Sequence, residues 1–210
     1  MLKNIKCLGH STILIKRDNI NIYVDPYNIN EYCDIGDIIF ITHNHYDHFS
    51  ESDIKKIKKD NTIIVITDDL YDSVLNLGFS DQNIIVVSPN ENYKIHNIKF
   101  KTIPAYNLNK NFHPREKNWV GYIIEINKIK YYIAGDTDVT LENKKVKCDV
   151  AFIPVGGTFT MNYQEAAALI NEIEPKIAIP IHYGILVGSK EDALNFKKYI
   201  KDDINCEIMY

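Results

Sequence analysis

No two of the four cysteines, Cys7, Cys33, Cys148 and Cys206, stand in a CxxC spacing, and they are scattered across 210 residues. That excludes a dense disulfide framework or a zinc knuckle and reads as reduced packing thiols of a cytosolic protein. No apolar run approaches the ~20 residues that a bilayer crossing needs, and the N-terminus opens without an apolar secretory core. The expectation is a cytoplasmic protein with no membrane attachment. Excess positive charge is missing too: 24 Lys and Arg stand against 28 Asp and Glu, a formal net charge of -4. No global field draws in nucleic acid, so none is expected as a partner. There is no GxSxG elbow to seat a nucleophilic serine. Linkers rich in Gly, Pro or Ser are absent, so residues 1–210 read as a single domain. A chain of this length can bury about 70% of the surface its unfolded form exposes, enough for a core without staples.

Against these absences stands one dense segment. Thr42, His43, Asn44, His45, Tyr46, Asp47 and His48 follow the apolar stretch 37–41 and place three imidazoles and a carboxylate within six residues. Metal ligands at this density are rarely accidental. If the strand continues, alternation puts His43 and His45 on one ion, and a turn sends Asp47 and His48 toward a second. Imidazole with carboxylate suits Zn²⁺ first, with Mn²⁺ or Fe²⁺ as alternatives. The same pattern recurs along the chain. Apolar residues 131–135 deliver Asp136, 177–181 deliver His182, and 20–24 deliver Asp25, after which Pro26 stops further pairing. Four strand ends thus carry polar groups, and in α/β sheets the site lies off such ends.

Hydrophobic periodicity places strands over 2–8, 11–16 and 20–24, with a turn at Asp18 and Asn19. After the His-rich segment come a helix over 51–59, a strand over 62–66, a helix over 69–77 and a strand over 84–88. The second half opens with strands over 93–96, 98–104, 120–126 and 130–134. It then alternates strand 150–155, helix 163–173, strand 177–182, helix 190–201 and strand 206–209. Each half gives hairpins first and strand-helix alternation afterwards, the pattern of two mixed sheets with helices outside.

These residues resemble the metallo-β-lactamase superfamily, whose signature is an HxHxDH motif followed at long range by His, Asp and His. The resemblance covers nearly the whole chain. It implies an αββα four-layer sandwich, a binuclear site of two divalent ions and hydrolysis by a metal-activated water. Asp25 matches the carboxylate that props the metal loop, and His43, His45, Asp47 and His48 match the signature motif. Asp136 matches the carboxylate shared by both ions and His182 the last ligand. The segments 9–11, 24–26 and 43–48 look most like the branch of ascorbate-6-phosphate lactonase and N-acyl-phosphatidylethanolamine phospholipase D. One departure stands out. Where the family carries its third-motif His, this chain reads Ile103, Pro104, Ala105, Tyr106, Asn107. His113, the one His between His96 and His182, is assigned that role; otherwise Asn107 or water fills the place and the metals are asymmetric or reduced to one. Asp47 is the expected proton shuttle.

Further residues are placed around this set. His10, where the family also has a His, is expected behind the ligands rather than on a metal, and His96 at an exposed turn. Gly156 and Gly157 precede a helix capped by Asn162 and could present N–H groups to an anion. Arg115 and Lys117, in the long polar segment 107–118, could pair with a substrate phosphate. The basic run 55–59 reads as a solvated helix face. The expected activity is hydrolysis of an ester-type bond, phosphodiester or lactone, in an anionic small molecule. The competing reading is a metal-binding protein that keeps the fold without turnover. A homo-oligomer stays open.

Overall fold

The computed structural model describes residues 2–17, 19–30 and 32–210, which form two compact units, one running to Ser88 and including Tyr210, the other Pro89–Met209. Unit 1 is built on a six-stranded sheet whose order follows the chain: β1 (Ile5–Gly9), β2 (Thr12–Arg17), β3 (Ile20–Val24), β4 (Ile38–Phe40), β5 (Ile63–Thr67) and β6 (Ile84–Val87). The pairs from β1 to β3 are antiparallel and those from β3 to β6 parallel. Parallel neighbours need crossovers. Helix α1 (Glu51–Ile57) supplies one, and a 3-10 turn (Asp68–Leu70) running into α2 (Tyr71–Asn76) supplies the next. Leu14, Tyr23, Ile39, Ile64 and Ile66 of the sheet form one cluster with Ile54, Ile57 and Val74 of these helices.

Unit 2 repeats the plan with seven strands in chain order: β7 (Asn92–Ile95), β8 (Ile98–Pro104), β9 (Val120–Ile126), β10 (Ile129–Ile133), β11 (Val150–Pro154), β12 (Ile177–Ile181) and β13 (Asn205–Cys206). Pairing is antiparallel through β10 and parallel beyond it. Helices α3 (Tyr163–Ile173) and α4 (Lys190–Tyr199) make the crossovers and pack on each other. The expected capping box of α3 forms, Asn162 accepting from Glu165 N–H and Glu165 from Asn162 N–H. Within each sheet the parallel strands bring their carboxyl ends to one edge, so Asp25 and Thr42 meet in unit 1, and Asp136 and His182 in unit 2.

Element types agree with the pattern reading, while several ends differ. The strand expected over 37–41 stops at Phe40, so His43 and His45 are not strand residues. The helix expected over 69–77 begins as a 3-10 turn. Of the expected turn at Asp18 and Asn19, Asp18 lies outside the described residues, while Asn19 adopts φ 65°. Burial pushes the thiols of Cys7 and Cys148 up to about 12 and that of Cys206 up to about 11, which disfavours their reactive thiolate forms. The basic run is not wholly solvated: Lys56 donates to Ile29 O and Asp53, and Lys59 pairs with Asp37. Among the described residues no helix is long and apolar enough to cross a membrane.

Candidate metal centre

In unit 1 the site grows from Asp25, at the end of β3. Its Oδ1 accepts from Thr42 N–H (2.8 Å), and its Oδ2 accepts from Thr42 Oγ1 (2.7 Å) and from His48 Nδ1 (2.7 Å). One buried carboxylate thereby fixes the start and finish of the His-rich loop. Since the Thr42 proton goes to Asp25, Thr42 Oγ1 accepts from His43 Nδ1 at 2.9 Å. Both rings then carry their proton on Nδ1 and keep a lone pair on Nε2. A helical turn follows, in which His48 N–H and Phe49 N–H both donate to His45 O. This turn, rather than strand alternation, sets His43 4.7 Å from His45 and 4.0 Å from His48 between ring centroids.

His10 lies beside this loop, within reach of Asp47 and His48. It is fully buried, and its Nε2 is 2.8 Å from Asp47 Oδ2, which is 3.5 Å from His48 Nε2. Tyr210 hydroxyl donates to His10 O. No sequence signal pointed to Tyr210, whose partner is 200 residues away.

In unit 2 His113 is buried and meets Asp136. Its Nε2 is 3.2 Å from Asp136 Oδ2, and His182 Nε2 is 3.0 Å from the same oxygen. Asn107 is the residue that sequence reasoning undervalued. Its Oδ1 accepts from His113 N–H and Nδ1 at 3.0 Å, its N–H donates to His113 O, and its Nδ2 donates to Phe159 O. Asn107 thus closes its loop on His113 and fixes that ring's tautomer.

Gly156 is required by packing: a Cβ there would stand 2.4 Å from His182 O. Of the two glycines expected to present N–H groups to an anion, Gly157 donates its N–H to Met161 O. Arg115 is also committed, pairing with Glu142 at 2.7 Å and lying over the Tyr106 ring. Lys117 lies exposed on a 3-10 turn, and His96 is exposed as expected. Among the described non-glycine residues with positive φ, three are candidates, His10, Asp25 and His182 at 50°, 46° and 58°, while the others, such as Asn19, Asn90 and Lys128, lie elsewhere. Non-glycine residues seldom keep such angles unless the surroundings impose them.

The donor chemistry fits a divalent cation. With its proton directed at Asn107, His113 turns a lone pair toward a carboxylate oxygen in a buried setting, and two acceptors at that distance need a positive charge. The profile of the "Beta-lactamase superfamily domain" matches residues 4–182. The chain belongs to the β-lactamase superfamily. Its superfamily relatives include the UPF0173 metal-dependent hydrolases of Staphylococcus aureus strain RF122 (29% identical, over 90% of this chain and 89% of that one) and Methanopyrus kandleri (26%, over 94% and 91%). A solved structure from Parabacteroides distasonis, described as a candidate metal-dependent hydrolase, is 31% identical with a TM-score of 0.85, covering 98% of this chain and 91% of that one. The two mixed sheets with their helices are the metallo-β-lactamase fold.

Proposed function

We propose that this metal-dependent hydrolase of the metallo-β-lactamase superfamily cleaves an ester-type bond, phosphodiester or lactone, with two divalent ions, zinc foremost. The ligand sets would be His43, His45 and His113 for one ion and Asp47, His48 and His182 for the other, with Asp136 shared. The observation that carries this reading is Asp136 Oδ2, approached by His113 Nε2 at 3.2 Å and His182 Nε2 at 3.0 Å. A single carboxylate oxygen flanked by two imidazoles suits a shared ligand. Kinship with the ascorbate-6-phosphate lactonase branch is part of this proposal.

When bound, such ions acidify water and polarise the oxygen of the scissile bond. The chain's own residues do the rest. Asp25, through Thr42, and Asn107 hold Nδ1 protons in place so that Nε2 faces the site. His10 orients Asp47, whose carboxylate takes up the proton of the attacking water. Of the cations expected to meet an anionic substrate, Arg115 pairs with Glu142 but stays largely exposed, and Lys117 is exposed as well, so both remain candidates. Elemental analysis of fully metallated protein, joined to a panel of phosphodiester, phosphomonoester, lactone and thioester substrates, tests the reading. Two ions per chain with turnover of an ester-type substrate is expected. One tight ion would remove the pair, and bound metal with no turnover would favour the binding-only alternative.

A further inference from the structure

Tyr46 interrupts the ligand run with a ring that is 65% exposed, between His45 and Asp47. It does not stand alone. Tyr27 meets it edge-on at 6.0 Å and also meets His10 edge-on at 6.0 Å. Rings therefore run in an unbroken row from the surface to the residue that holds Asp47. The backbone at its middle is tied down: Tyr27 N–H donates to Thr12 Oγ1 at 2.9 Å, and that hydroxyl donates to Asp25 O at 2.8 Å, with Tyr27 O a second acceptor at 3.1 Å. Burial, then Tyr46 and the Asp47 charge, push the ionisation of the Tyr27 hydroxyl upward.

The side chains flanking the unit 2 candidates have the same character. Phe112, 47% exposed, precedes His113 and packs edge-on against Phe159 at 4.7 Å; Ile185 and Leu186 follow His182 and are exposed. Lys110, by contrast, is held by Asp138, as Arg115 is by Glu142. Exposed apolar groups beside buried polar ones mark binding surfaces.

We propose that Tyr27 and Tyr46 form a shelf that receives a planar apolar group of the substrate, an aromatic ring in the fullest case, beside the bond to be cut. The shelf rests on the hydrolytic reading and adds to it the substrate's non-reacting part. Aromatic pairing of this kind is worth up to about tenfold in preference.

The test compares benzyl acetate with ethyl acetate, which share the acyl group and have alcohols of similar leaving ability. The benzyl ester is expected to be favoured about tenfold in kcat/KM. Tyr46→Ala should bring that ratio close to one, and Tyr46→Phe should restore it. Tyr32→Ala, which alters a 96% exposed ring of the same unit, should leave it intact. Binding of benzyl alcohol, followed by saturation-transfer NMR with and without metal, gives a readout independent of turnover. A ratio unchanged in Tyr46→Ala, or benzyl alcohol binding that survives it, overturns the shelf. Benzyl alcohol binding lost in Tyr46→Ala, with no hydrolysis of either acetate and none across the phosphodiester, phosphomonoester, lactone and thioester panel, would keep the shelf and overturn the hydrolytic reading.

Discussion

Asn107 is expected to bear on metal retention through His113 without being a ligand itself. Three of its polar contacts end on His113. Without its oxygen the ring is free to exchange tautomers and to turn. Asn107→Ala is therefore expected to weaken metal retention about tenfold to hundredfold, measured by competition with a chelator, while circular dichroism is unchanged. His113→Ala should go further and also expose the segment 107–118 to protease, because the loop loses the residue on which it closes. Unchanged metal content in His113→Ala would return that His to the status of a structural core residue. The density of His43, His45, Asp47 and His48 could be read from the chain. The proton positions on His43 and His113 could not, since they depend on Thr42 and Asn107, which carry no metal-binding signature.

Elements act here by where they end. β3 and β4 run parallel, so Asp25 can reach the amide of Thr42; β11 and β12 run parallel, so Gly156 touches the His182 carbonyl. Gly156→Ala puts a methyl group into that carbonyl and is expected to cost about 1–3 kcal/mol in urea unfolding, with a loss of metal affinity. Helix α1 offers a pH test remote from the ligands. Burial raises Asp53, but bonds from Lys56, Ser50, Asn28 and Ile29 outweigh it and hold the carboxyl below its ordinary 3.8. A folded value below the unfolded one contributes stability above the unfolded value and loses it as pH falls through the folded one. Asp53→Asn should therefore lower the urea midpoint at neutral pH, and the gap to the unchanged protein should narrow as pH drops below 3.8. A constant gap across that range would contradict this account.

At the scale of the molecule, a ligand that binds only folded chain stabilises it by mass action. Metallation is expected to raise Tm, and chelation to reverse the rise, with the effect reduced in His48→Ala and His182→Ala. Equal Tm for metallated and chelated protein would count against a resident metal. The sequence by itself determined the fold class, the six ligand candidates at strand ends and the nomination of His113. Those rest on local rules: apolar periodicity, ligand density and the position of a residue after a strand. Tertiary structure alone decided that His113 reaches Asp136, that the Gly157 amide and Arg115 face other partners, and that the His-rich loop is shaped by a turn and by Asp25. Each depends on which distant group satisfies a buried donor or acceptor, and short-range pattern along a chain does not encode that pairing.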